Sequence, residues 1–235
     1  MLVQSSMAFI GGWGFKSALL RESSLYLKGS FLIDLPNLEK LTLEKVSYNL
    51  SCLLPNNITL IGWSLGGLIA ILLAAQFPKK VKKLILFSTS PCFIQTKGWS
   101  GISLVEANKF INLAEKNFNS LFKYFLSIVN YPNKILYYKD LLNKNSLNFE
   151  KYQNFLFKYL KILFKSDLRE AYKSIKIPLF YLLGEQDVII KLQSQELYDL
   201  NPSAIIHLIP EAGHLAFLTH ENYFYTRLLK FMNYV

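Results

Sequence analysis

The sequence predicts an α/β protein: a mostly parallel central sheet flanked by helices, with a helical insertion. Three observations predict it. Short apolar runs alternate with helix-forming stretches, the pattern of a parallel sheet covered on both faces. That rhythm breaks from about Pro91 to Tyr172, which lacks convincing strands and reads as several helices rich in Phe, Tyr, Leu, Lys and Asn. It then resumes, so the chain divides into a core at 1–90, a helical lid insertion at 91–172 and the rest of the core at 173–235.

The elements follow in order. Met7–Ile10 is a short apolar run that stops at Gly11-Gly12-Trp13-Gly14, as a buried strand bounded by glycine does. Phe31–Leu35 is the second run, stopped by Pro36, and a helix is expected over Leu38–Leu53. Ile58–Ile61 is the third strand and leads into a glycine cluster, after which Leu65–Gln76 favours helix. Leu84–Phe87, Leu179–Leu183 and Ala204–Ile209 supply three more strands, with helices over Lys191–Leu200 and Glu221–Tyr234. Pro132 and the piece Asn143–Asn148 punctuate the insertion. Ile58–Phe77 carries no charge over 20 residues, long enough to span a bilayer. The glycines at 62, 66 and 67 argue instead for strand, sharp turn and buried helix.

Composition sets the outer bounds. A chain of 235 residues, 51% hydrophobic and 18% charged, buries a large core and is no disordered polar chain. Cys52 and Cys92 are too few for a disulfide framework and read as buried free thiols in a reducing, cytoplasmic setting. The start, Met-Leu-Val-Gln-Ser-Ser-Met, lacks the basic and long apolar regions of a signal peptide. No metal or organic cofactor is implied, and there is no phosphate-binding loop or dinucleotide fingerprint. The net charge is +10, yet 23 of the 26 basic residues are Lys, whereas base readout favours Arg. Nucleic acid is therefore not an expected partner, and a monomer is expected. A genome biased in base composition is the alternative source of that charge.

Gly62-Trp63-Ser64-Leu65-Gly66 carries the chemistry. A strand enters this G-x-S-x-G motif and a helix leaves it, as a nucleophile elbow requires. The glycines let strand and helix approach closely, and a strained turn lifts the Ser64 hydroxyl over the C-terminal edge of the sheet. The hydroxyl needs a base. His214 follows the strand Ala204–Ile209, beside the elbow, whereas His207 reads as structural and His220 as a surface or capping residue. The base needs an acid to fix its tautomer. Asp187 lies just past a buried strand, with Glu185 as local rival and Asp34 as remote one; Asp167 and Asp199 fall in predicted helices. The order Ser64, Asp187, His214 is that of α/β-hydrolases. The backbone N–H groups of Leu65 and Trp13 are the candidate oxyanion donors, with the Trp13 ring a pocket wall or simply a packed aromatic.

At these residues the chain resembles a known family. Gly-Trp-Gly at 12–14, Gly-Trp-Ser-Leu-Gly-Gly at 62–67 and Ser90-Pro-Cys-Phe93 are similar to the pimeloyl-acyl-carrier protein methyl ester esterases of biotin synthesis, as are Trp99-Ser-Gly-Ile102 and Ser166-Asp-Leu-Arg169. The resemblance implies that Ser64, Asp187 and His214 form the triad. It implies that Trp13, Ser64, Leu65 and His214 line the substrate site, and that Phe125, Leu126, Ser127, Ile128 and Val129 contact the pimeloyl chain. It also implies an acyl-carrier protein as the partner that presents the substrate, and methanol as a product. The chain departs from the family in having only ten residues, hence shortened N-terminal strands, before Gly11. Gly11 itself stands where His is usual, and the segment after Leu35-Pro36 is short.

Three functions follow as alternatives. The first is the carrier-dependent methyl esterase. The second is a general short-chain carboxylesterase or another α/β-hydrolase. The third is a catalytically inactive binding protein. The insertion bears on the choice. From Pro91 to Glu170 there are 12 basic and 6 acidic residues, so a third of the chain holds more than half the charge excess. A basic lid steers an acidic carrier. Lys109, Lys116 and Lys123 recur seven apart, as on one helix face, although a solvated face has the same pattern.

Overall fold

The computed structural model describes residues 7–21, 30–133, 136–191 and 193–234. Its elements are β1 (Met7–Ile10), β2 (Phe31–Ile33), α1 (Leu43–Leu53), β3 (Ile58–Trp63), α2 (Leu65–Gln76) and β4 (Val81–Phe87). Five helices follow: α3 (Leu104–Lys116), α4 (Phe118–Asn130), α5 (Leu136–Asn145), α6 (Phe149–Lys165) and α7 (Arg169–Ser174). The core resumes with β5 (Leu179–Gly184), α8 (Ser194–Leu200), β6 (Ile205–Ile209), α9 (Ala216–Thr219) and α10 (Glu221–Tyr234).

The six strands form one sheet in the order β2-β1-β3-β4-β5-β6. Every pairing is parallel, with Ile10 opposite Gly62 and Trp63 opposite Phe87. The order reverses between β1 and β3. Connections from these neighbours leave in opposite directions, which opens a crevice at their C-terminal ends where ligands bind in open α/β sheets. The loop at Gly11–Gly14 and the turn at Ser64 follow those two strands. The long uncharged run is explained by burial: β3 is buried throughout, and so is α2 from Leu65 to Ala74. Among the described residues no helix is long and apolar enough to cross a membrane.

Local chemistry moved some boundaries. The first helix begins at Leu43 rather than Leu38, because Thr42 is extended and its side chain caps the Lys45 N–H. The second strand ends at Ile33, after which the Asp34 carboxylate accepts the Ser17 N–H at 2.6 Å. The expected trio Lys109, Lys116 and Lys123 does not share a helix face. Asn117 caps α4, so the chain breaks between Lys116 and Lys123. Cys92 is buried as expected, but Cys52, on the outer face of α1, is exposed.

The helices between β4 and β5 are tied to the loop after β1. Leu147 N–H donates to the Gly14 carbonyl (2.9 Å) and Lys16 N–H to that of Asn145 (2.9 Å). The Trp13 indole donates to the Leu156 carbonyl of α6 at 2.8 Å. Tyr159, fully buried on the same helix, donates to the Pro36 carbonyl.

Candidate active site

Ser64 stands at the end of β3 with φ 54° and ψ −122°, a conformation unfavourable for any residue with a Cβ. Its flanking glycines admit no side chain. A Cβ on Gly62 would lie 2.6 Å from the Gly67 Cα, and one on Gly66 would strike the carbonyl oxygen of Ile10. Ser64 is held at both backbone polar groups. Its N–H donates to Phe87 (3.2 Å), and its carbonyl accepts from Gly67 N–H (2.9 Å) and from the Thr89 hydroxyl (2.6 Å).

Past the neighbouring strands, β5 and β6 deliver the acid and base. Asp187 Oδ2 lies 2.8 Å from His214 Nδ1, and both side chains are buried. Asp187 Oδ1 accepts from the N–H groups of Ile189 (2.9 Å) and Ile190 (3.0 Å), which fixes the carboxylate plane. His214 is held from below by Trp63, whose indole N–H donates to the His214 carbonyl at 3.3 Å. The other ring nitrogen, Nε2, is buried and has no hydrogen-bond partner among the described residues. The Ser64 hydroxyl therefore does not bond it here. Such bonds are often long in unliganded enzymes and tighten with substrate.

The rivals are engaged elsewhere. Glu185 accepts from Glu211 N–H, and Asp167 pairs with Arg169 at 2.6 Å. Asp34 caps Ser17, and Asp199 accepts from Gln195. His207 packs on Phe180, and burial pushes its pKa down. His220 pairs with the Thr219 hydroxyl.

The loop after β1 closes on the elbow. A Cβ on Gly12 would lie 2.9 Å from the Trp63 ring and 3.3 Å from the Ser64 Cβ, so only glycine lets the loop come this near. Among the described residues, no hydrogen bond engages the backbone N–H of Trp13 or of Leu65, the first residue of α2.

A cavity of about 790 Å³ opens over Ser64. Its walls are largely apolar and come mostly from α3, α4 and α6. Of the expected contacts, Trp13, Ser64, Phe125, Ser127 and Ile128 line it. Four others do not, and each for a geometric reason. Leu126 and Val129 point to other faces of α4, with Val129 fully buried in the core, because five successive helical residues cannot all meet one wall. The Leu65 side chain is fully buried in the core. His214 lies beneath the lining, 1% exposed. Missed from sequence was the α3 wall of Glu106, Lys109, Phe110 and Leu113. Their i, i+3, i+4, i+7 spacing was visible, but which helix face met the cavity was not.

The comparisons with known proteins agree with this geometry. The chain matches the family described as alpha/beta hydrolase fold over residues 42–221. It is 32% identical to the pimeloyl-acyl-carrier protein methyl ester esterase of Wigglesworthia glossinidia brevipalpis, covering 96% of this chain and 92% of that protein. It is also 32% identical to the protein of the same name from Legionella pneumophila (strain Corby), over 94% of this chain and 92% of the relative. In structure it resembles an esterase from Exiguobacterium antarcticum at a TM-score of 0.81 and 20% identity, covering 97% and 91% of the two chains. The chain belongs to the α/β-hydrolase fold family and, within it, to the family of the pimeloyl-acyl-carrier protein methyl ester esterases.

Proposed function

We propose that the chain is a serine carboxylesterase that hydrolyses the methyl ester of pimeloyl-acyl-carrier protein in biotin synthesis. The observation that carries this reading is the buried Asp187–His214 pair, with its free Nε2, beside a strained Ser64 in an apolar cavity. The names of the relatives supply the substrate.

The residues assign the steps. His214 Nε2 takes the Ser64 proton as the hydroxyl attacks the ester carbonyl, and Asp187 stabilises the imidazolium through Nδ1. The Trp13 and Leu65 N–H groups receive the oxyanion, the latter at a helix N-terminus that favours negative charge. His214 returns the proton to the leaving methoxide, releasing methanol. Water, activated by the same base, then frees the carboxylate. The acyl chain lies along Phe110, Leu113, Phe125 and Ile128, and the helices between β4 and β5 act as a lid. The enzyme works in the cytoplasm as a monomer, and its basic lid attracts an acidic carrier.

The test is rescue of a biotin-requiring strain that lacks its own methyl esterase. Wild-type protein restores growth without biotin and Ser64→Ala does not. Equal rescue by both overturns the chemistry. Failure by both, with both expressed, overturns the substrate.

A further inference from the structure

The cavity is lined by three ionic side chains, and they lie together: Glu106 and Lys109 on α3, and Lys191 after β5. Two of them neutralise each other. Glu106 Oε1 accepts from Lys191 Nζ at 2.7 Å. Its Oε2 accepts the N–H (3.0 Å) and hydroxyl (2.8 Å) of Ser103, the cap of α3. Glu106 is thereby fully occupied, and Lys191 is balanced. Lys109 sits one turn further along the same face, is exposed and has no ion pair among the described residues.

Exposure also orders the lining. Ser64 and Trp13 are buried, whereas Tyr124, Tyr131 and Val188 are 39–51% exposed. Lys109 belongs to this solvent-facing rim. A chain whose ester sits at Ser64 leaves the cavity past an uncompensated cation framed by apolar walls, where field lines concentrate. An uncharged ester has no use for it.

We propose that Lys109 binds the phosphate of an extended arm that carries the acyl chain, so that the rim selects acyl groups borne on a phosphorylated tether. This rests on the carrier-borne substrate proposed above. The test compares two small substrates, the methyl pimeloyl thioesters of 4′-phosphopantetheine and of pantetheine, which differ only in the phosphate. Wild type is expected to show a KM about three- to tenfold lower for the phosphorylated substrate. That advantage shrinks as salt rises. Lys109→Gln removes it with kcat unchanged and leaves the pantetheine thioester untouched. Lys109→Arg keeps it, and Lys116→Gln, on α3 away from the cavity, changes nothing. Equal KM values for the two substrates in wild type, or an equal loss for both in Lys109→Gln, overturn the phosphate site while leaving the esterase intact. Methanol release from neither compound overturns the esterase reading and the site with it.

Discussion

The Thr89 hydroxyl donates a 2.6 Å hydrogen bond to the carbonyl oxygen of Ser64. Thr89 is itself fixed, since the buried Tyr181 hydroxyl donates to its carbonyl at 2.8 Å. The same Thr89 side chain fills the space where a Cβ on Gly67 would lie, 2.5 Å from its Cγ2. A residue after β4 thus holds the strained turn after β3 in place. Thr89→Val keeps the shape and loses the bond, so it should cost about 1–2 kcal/mol of stability. kcat should fall, with KM little changed, and Thr89→Ser, which keeps the hydroxyl but loses the packed methyl, should restore kcat more fully than stability. Urea unfolding and steady-state kinetics on a p-nitrophenyl ester read the two effects.

Trp63 positions the base from one residue before the nucleophile. Its ring lies 5.6 Å from that of His214, and its indole holds the His214 carbonyl. Trp63→Phe removes the donor and part of the ring under the base. It should lower kcat more than it raises KM, and cost about 2–4 kcal/mol in thermal or denaturant unfolding.

Gly213 joins the base to the helices above the sheet. A Cβ there would strike the Tyr131 carbonyl and lie 2.9 Å from Pro132 Cδ. Gly213→Ala therefore forces the end of α4 away from the His214 loop. The expected result is a loss of stability of about 1–3 kcal/mol and a lower kcat/KM. Gly98→Ala is the contrast in packing, since nothing lies within 4 Å of a Cβ there. Its cost comes only from the positive φ of 75°.

The Glu106–Lys191 pair should survive mild acid. The Lys191 hydrogen bond, then the Ser103 N–H and hydroxyl, hold the Glu106 carboxyl down at about 2. A folded-state value below the ordinary one of about 4.3 means that the contribution is full above that pH. It is lost as pH falls from about 4 toward 2. An NMR titration of the carboxyl reads it directly, and Lys191→Ala should move the midpoint back up.

How much of this was legible in the sequence depends on how local each signal is. The elbow was legible because crowding at one turn demands glycine at positions 62 and 66, a constraint written within five residues. Helix α2 and helix α10 matched their expected bounds, since burial and an uninterrupted pattern define them. The start of α1 was not legible, because Thr42 as cap outweighs the weak propensity of residues 38–41. The lysine spacing misled because Asn117 ends one helix and begins another. The contacts across the cavity were least legible. That the Trp13 indole meets Leu156, or that α3 turns Glu106 and Lys109 inward, depends on how helices far apart in sequence pack.

Everything above turns on Ser64 attacking the methyl ester of a carrier-borne acyl chain. Methanol release from pimeloyl-acyl-carrier protein methyl ester, measured for wild type and Ser64→Ala, tests it most directly. The wild-type kcat/KM is expected well above that for the free dimethyl ester, with a fall of at least about 10³-fold in Ser64→Ala. An unchanged rate in Ser64→Ala, or equal wild-type turnover of the free and carrier-borne esters, would contradict it.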